Sequence, residues 1–272
     1  MKQKILETIR ISDEYHTPAD TPRSAGDRLF LGTRLFFMGS FVGMAFSTRR
    51  AALKGRYDTQ YWVDSSLEVA GLIERCGGRI HITGLDHIRQ VKGPVVFLSN
   101  HMSTLENMVF PGIIQPLKSI TFVVKHELIK HWIFGPVMRS REPIALDRSN
   151  PRDDLRIVLE KGQELLSKGQ SVIIFPQSTR RIDFNPAEFN TIGTKLAARA
   201  GVPVIPIAIK TDFWEHGKLT KYLGTIHRDR PVYIKFGKPM SVKGNGKEEH
   251  QQILDFIGSN LQNWKSEARS QK

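Results

Sequence analysis

The chain reads as an α/β domain, a mixed and mostly parallel sheet covered by helices. Two observations predict this. From Arg79 onward, short apolar runs rich in Val, Ile and Phe recur between Gly, Pro and Asp, as strands do. Longer segments with apolar residues at three- and four-residue spacing lie between those runs. Strands separated by helices pair in parallel through crossovers and leave both sheet faces covered. The first 56 residues lack this alternation and carry a polar arm and an apolar helical segment instead.

Residues 1–28 are polar and mixed in charge, with a helix-like patch at Ile5, Leu6 and Ile9 and no secretory pattern. Leu29 to Phe46 is largely apolar, broken by Arg34 and by Gly32, Gly39 and Gly43. Eighteen residues of helix span roughly 27 Å, just short of a bilayer's hydrocarbon core. This segment is expected to lie in a membrane interface, or to dip into one leaflet as a helix pair. A helix buried on the domain is the alternative. Arg49, Arg50, Lys54 and Arg56 follow at once and suit anionic head groups. The division expected is therefore a membrane-associating N-terminal region, 1–56, and an α/β domain, 57–272.

In that domain Tyr61 to Cys76 has helical spacing and ends at Gly77-Gly78. Strands are expected at 79–83, 94–99, 119–124, 143–147, 171–175, 203–209 and 231–236. Helices are expected at 103–115, 127–138, 152–168, 191–200 and 247–266. Lys243-Gly244-Asn245-Gly246-Lys247 is a loop before the last of them.

Forty Lys and Arg against 27 Asp and Glu give a net charge of +13, which implies an anionic partner. The basic residues are scattered, and no zinc finger, RNA-recognition signature or basic zipper is present, which argues against nucleic acid. An anionic membrane surface also accounts for the apolar N-terminal segment. Cys76 is the single cysteine, so no intramolecular disulfide forms. His126-Glu127-x3-His131 is one residue too long for a zinc-binding H-E-x2-H helix. No G-x-S-x-G elbow, P-loop or dinucleotide fingerprint appears, and no metal or cofactor is implied.

The chemistry concentrates at Asn100-His101-Met102-Ser103-Thr104-Leu105-Glu106, which follows the strand-like run Pro94-Val95-Val96-Phe97-Leu98. A histidine at a strand mouth can take a proton from a hydroxyl near neutral pH, and a carboxylate on its other nitrogen fixes the tautomer. In a regular helix a five-residue offset leaves two side chains about 140° apart. The pair meets only if His101 sits in the turn before the helix and Glu106 reaches back. Ser103-Thr104-Leu105-Glu106 also fits a capping box, which does not exclude that contact.

Three further segments follow in order: Ile144-Ala145-Leu146-Asp147-Arg148, Phe175-Pro176-Gln177-Ser178-Thr179-Arg180 and Val202-Pro203-Val204-Ile205-Pro206-Ile207. With Asn100–Glu106 they resemble the four ordered motifs of the glycerolipid (lysophosphatidic acid) acyltransferase family: N-H-x4-D, an arginine closing a short strand, F-P-E-G-T-R and V-P-[IV]-[IV]-P. Lys125-His126-Glu127-Leu128 with Phe134-Gly135, and Phe189-x3-Gly193, look like the family's intervening segments. The resemblance runs from about Val95 to about Pro239. It implies a catalytic pair, His101 as base and Glu106 as its orienting acid, and acceptor binding by Arg148 and Arg180. Lys125 is placed for head-group or donor phosphate. Ser178 and Thr179 either bond the acceptor or cap the next segment. Arg181 matches no motif position and reads as surface charge.

Two departures stand out. Glu106 is one methylene longer than the family's aspartate, and Gln177-Ser178 replaces Glu-Gly. The function implied is acyl transfer from acyl-CoA or acyl-carrier protein to a lysophospholipid, most simply 1-acylglycerol-3-phosphate, at the cytoplasmic face of a membrane. Another lysolipid acceptor, such as a lyso-ornithine lipid, and a non-catalytic lipid-binding scaffold are the alternatives.

Overall fold

The computed structural model describes residues 2–177, 179–215, 217 and 224–270. The N-terminal elements are α1 (Lys2–Ile11), β1 (Glu14–His16), α2 (Ala25–Leu29), α3 (Arg34–Leu53) and α4 (Thr59–Arg75). Then come β2 (Ile80–Thr83), α5 (Asp86–Arg89), β3 (Val96–Ser99), α6 (Leu105–Ile114), β4 (Ile120–Lys125), α7 (His126–Lys130), α8 (Gly135–Arg139) and β5 (Ile144–Leu146). The chain closes with α9 (Pro151–Ser167), β6 (Ser171–Ile174), α10 (Ile192–Ala200), β7 (Val204–Lys210), β8 (Val232–Phe236) and α11 (Lys247–Ser270).

The described strands form one sheet in the order β1-β2-β8-β7-β3-β6-β4-β5. Pairs β2–β8, β3–β7, β3–β6, β4–β6 and β4–β5 are parallel, and β1–β2 and β7–β8 are antiparallel. All seven expected strands are present. β1 was not anticipated, because Glu14-Tyr15-His16 is short and polar. Its anchor is a distant charge: the Tyr15 and Thr17 hydroxyls donate to the buried Glu74 carboxylate of α4 at 2.7 and 2.6 Å.

β3 lies mid-sheet and is buried on both faces, hence its unbroken apolar run. Phe97 belongs to the core under α1, α3, α4 and α6, while Val96 and Leu98 belong to the core under α9, α10 and α11. Alternate residues of one strand thus weld both layers. The expected helix at 127–138 divides into α7 and α8. Between them His131 adopts extended geometry, and Pro136, at the start of α8, lacks the N–H a continuous helix needs.

The apolar stretch Leu29–Phe46 is also not one helix. Leu31 and Gly32 both take positive φ, and Thr33 caps a new start by accepting the Leu35 N–H. Phe37, Met38, Phe41 and Ala45 of α3 are buried, with Phe37 and Phe41 edge-to-face on Trp214 at 5.2 and 4.7 Å. Among the described residues no helix is long and apolar enough to cross a membrane. Gly39 and Gly43 of α3 face open space.

Gly193 sets the approach of α10 to the sheet. A Cβ there would lie 2.1 Å from Leu98 Cδ2 and 3.0 Å from its Cγ. Alanine ordinarily stabilises a helix interior over glycine by about 1 kcal/mol. Gly193→Ala is expected to do the reverse, because overpacking costs about 1–3 kcal/mol. A melting temperature several degrees lower is the outcome to look for, and a rise would show that Leu98 yields freely.

Candidate active site

In open α/β sheets, ligands bind beyond the carboxyl ends of the strands. Five parallel strands here end on one side: β3 before His101, β4 at Lys125, β5 before Arg148, β6 before Thr179 and Arg180, and β7 before Thr211. The sheet order therefore collects residues that the sequence scatters over more than a hundred positions.

The end of β3 is stapled to β7 by Asn100. Its amide donates to the Ile209 carbonyl and accepts the Ile209 N–H, both at 2.9 Å and both buried. The chain then leaves the sheet, and His101 occupies the turn before α6, as the five-residue spacing requires. His101 Nδ1 lies 2.8 Å from Glu106 Oε1. The same oxygen accepts the backbone N–H groups of Met102 and Ser103 at 2.7 and 2.8 Å. Oε2 accepts the hydroxyls of Ser103 and Thr211 at 2.9 and 2.8 Å. Capping and histidine contact thus coexist on one carboxylate, which is fully buried. An ionised carboxylate only accepts, so Nδ1 carries the proton and Nε2 is the basic nitrogen.

Four contacts fix the imidazole and its backbone. The ring stacks on Phe175 with centroids 4.2 Å apart. The His101 N–H donates to Gln177 Oε1 at 2.8 Å, and its carbonyl accepts the Arg181 N–H at 2.9 Å. Glu106 is the fourth. Burial holds His101 below its ordinary pKa; the bond to Glu106 opposes this, and Arg180 and Arg148 reinforce it. Burial would raise Glu106, but hydrogen bonds from His101, the backbone and Thr211 hold it below the usual carboxylate range. The resting pair is a neutral imidazole against a carboxylate, the state a general base needs.

His101 opens onto a cavity of about 640 Å³. Lys125, Arg148, Thr179 and Arg180 line it with His101, and Phe41, Met44, Trp62, Phe122 and Val137 make its apolar part. Lys125 and Thr179 are exposed. Arg180 is half-buried and donates to Thr104 Oγ1 at 2.8 Å. Arg148 takes φ +58°, a left-handed conformation costly for a residue with a Cβ, and its N–H meets Asp154 Oδ1 at 3.3 Å. Ser178 lies outside the described residues. Arg181 is exposed and pairs with Glu188 at 2.5 Å. Among the described residues no group of three or more His, Cys, Asp or Glu side chains is placed to hold a metal ion.

Sequence reasoning passed over three of these participants. Phe175 read as a strand end and as the first residue of the third motif, with no contact to His101 assigned, and Thr211 drew no reading at all; both act through neighbours that strand order supplies. Gln177 stood out as a departure from the family's glutamate, not for its grip on the His101 backbone. Its other amide atom, Nε2, is buried and meets no acceptor among the described residues.

Residues 79–210 match the acyltransferase family model. The 1-acyl-sn-glycerol-3-phosphate acyltransferase of Pseudomonas aeruginosa is 34% identical over 192 residues, 70% of each chain. The chain belongs to the 1-acyl-sn-glycerol-3-phosphate acyltransferase family. A probable member from Mycoplasma pneumoniae is 30% identical over 173 residues, covering 61% of this chain and 64% of that protein. The crystal structure of the Thermotoga maritima acyltransferase PlsC shares the fold, with a TM-score of 0.59 over 97% of this chain and 98% of that one at 18% identity. As a member of this acyltransferase family the chain is an O-acyltransferase.

Any turnover that needs neutral His101 will follow its titration. The acid limb of the pH profile of kcat/KM is expected below the ordinary imidazole value of about 6.5, because burial lowers the His101 pKa. Activity is retained as pH falls to that lowered value and lost beneath it. A limb at or above 6.5 would mean that Glu106 outweighs burial.

Proposed function

We propose that the protein transfers an acyl chain from acyl-CoA or acyl-carrier protein to the free hydroxyl of a lysophospholipid, most simply 1-acylglycerol-3-phosphate. The observation that carries this reading is the His101–Glu106 pair opening onto a cavity with an apolar interior, whose lining also carries Lys125, Arg148 and Arg180. His101 Nε2 takes the acceptor hydroxyl proton, and the oxygen attacks the thioester carbonyl. The tetrahedral adduct collapses with cleavage of the carbon–sulfur bond. The imidazolium returns its proton to the departing thiolate, so the cycle closes with ester and thiol. Glu106 stabilises the imidazolium in between. Arg148 and Arg180 suit the acceptor phosphate, since guanidinium gives charge-assisted, bidentate bonds to phosphate oxygens. Lys125 serves head-group or donor phosphate. The Thr179 hydroxyl, and that of Ser178, would bond the acceptor. The cavity falls in the usual size range of small-molecule pockets, and its apolar part suits an acyl chain.

The same reading puts the enzyme on the cytoplasmic face of a membrane, where thioester donors are made. Leu29, Leu31 and Leu35 are 79%, 89% and 60% exposed, and Trp132, 62% exposed, sits 5.9 Å from the half-exposed Phe46 of α3. So many large apolar side chains exposed along one segment are unusual on a protein that stays in water. Arg50, Lys54 and Arg56 lie exposed just beyond and suit anionic lipid.

Turnover with a panel of lysolipid acceptors, each offered acyl-CoA and acyl-carrier protein, identifies both substrates. His101→Ala is expected to lower kcat by roughly 10²–10⁴-fold with the fold intact, the usual contribution of a general base. A variant that keeps more than about a tenth of wild-type turnover would refute the assignment.

Liposome flotation tests the membrane reading. The intact protein is expected to float with anionic vesicles at low and high salt. Deleting the N-terminal region is a poor control, because Ile5, Ile9, Phe37 and Phe41 belong to the main core. Replacing Leu29, Leu31 and Leu35 together with Ser touches only exposed side chains and is expected to release the protein at high salt. Wild-type protein that remains soluble at both salt concentrations would refute membrane association.

A further inference from the structure

We propose that Thr211 is a positioning residue for acyl transfer: with Ser103 it forms a hydroxyl cradle that sets the reach and orientation of Glu106. This inference rests on the catalytic reading of His101 and Glu106. Thr211 is the first residue beyond β7, whereas Glu106 belongs to the first turn of α6, after β3. Parallel pairing of β3 with β7 puts the two in contact although 105 residues separate them.

Thr211 is fully buried. Its hydroxyl donates to Glu106 Oε2 at 2.8 Å and lies 3.0 Å from Ser103 Oγ, and its N–H meets Met102 Sδ at 3.3 Å. The two carboxylate oxygens divide their work. Oε1 faces the turn and takes His101 and two backbone N–H groups. Oε2 takes hydroxyls alone. Every donor to Oε1 comes from within five residues of Glu106, and so does Ser103. Thr211 is the contact that fixes the carboxylate from another strand. Without it the carboxylate loses its fixed reference to the sheet, and one buried anionic oxygen keeps a single donor.

The cradle also accounts for glutamate where the family motif has aspartate. An aspartate at 106 is one methylene shorter and cannot meet both the turn N–H groups and Thr211 from the same backbone. Glu106 therefore matches Thr211 as a pair, a length rule that neither residue carries alone.

Other charges around the site are accounted for. Glu106 faces His101 from α6, Arg180 from beyond β6 and Arg148 from beyond β5. Lys210 and Asp212 flank Thr211 and pair with each other at 2.8 Å. The Thr211 bond is among those that hold Glu106 ionised. Removing it leaves the carboxylate less compensated, so it holds the imidazolium more strongly and His101 titrates higher.

The test is Thr211→Val, which keeps the shape and loses the hydroxyl, against Thr211→Ser, which keeps the hydroxyl. Thr211→Val is expected to lower kcat about tenfold or more, the usual scale for a lost hydrogen bond to a charged group. The KM values of both substrates should change little, and the acid limb of kcat/KM should move to higher pH. Thr211→Ser should restore both the rate and the limb. In a Glu106→Asp background Thr211→Val should cost much less, because the shorter carboxylate no longer meets the hydroxyl. Should thermal unfolding show Thr211→Val to be misfolded, Thr211→Ala against Thr211→Ser carries the same comparison. Wild-type kcat with an unmoved limb would overturn the proposal, as would a loss that Ser does not rescue or that is equal in both backgrounds. His101→Ala, assayed alongside, separates the two levels. If it retains wild-type turnover, the catalytic reading fails. If it is inactive while Thr211→Val behaves as wild type, only the cradle fails.

Discussion

A carboxylate taken wholly out of water is tolerable only if the protein replaces the water it lost. Glu106 meets that constraint with five donors, and supplying them dictates much of the surrounding architecture. The turn Met102–Ser103 must aim its N–H groups inward, so α6 cannot begin before Leu105. β7 must run beside β3 for Thr211 to arrive, and Asn100 fastens those two strands where their ladder ends. Gly193 lets α10 press on Leu98 from below, so the strand that delivers His101 is held on both faces.

The electrostatics of the site follow from the same burial. Arg148 and Arg180 push His101 towards its neutral form, while Glu106 pulls the other way. The guanidinium groups suited to a phosphate therefore add to burial, the largest cause, in keeping the imidazole unprotonated at rest. Recognition and basicity draw on the same charges.

Much of this was legible before any coordinates. Seven strands announced themselves because a doubly covered parallel sheet demands short, unbroken apolar runs, and Val172-Ile173-Ile174 or Val204-Ile205 admit few other readings. Spacing allowed the His101–Glu106 contact on condition that His101 precede the helix, and the family resemblance implied it. Three kinds of feature were not legible. β1 is held by hydroxyls on a distant glutamate, so its three residues carry no pattern. The break at Leu31-Gly32 depends on backbone angles that a run of apolar letters conceals. Thr211 and Phe175 owe their places to strand order, which local patterning does not encode.

One helix is at once wall and exterior. α3 lends Phe41, Met44 and Ala45 to the cavity and turns Leu35, Val42 and Phe46 outward. If the outward face rests in lipid, as proposed, the hydrocarbon inside the protein and the hydrocarbon of the bilayer are separated by the thickness of a single helix. A lipid tail drawn through bulk water would cost about 0.8 kcal/mol for every methylene exposed. A shared wall shortens that aqueous passage, so a long-chain substrate can be handled as a solute changing compartments within one oily phase.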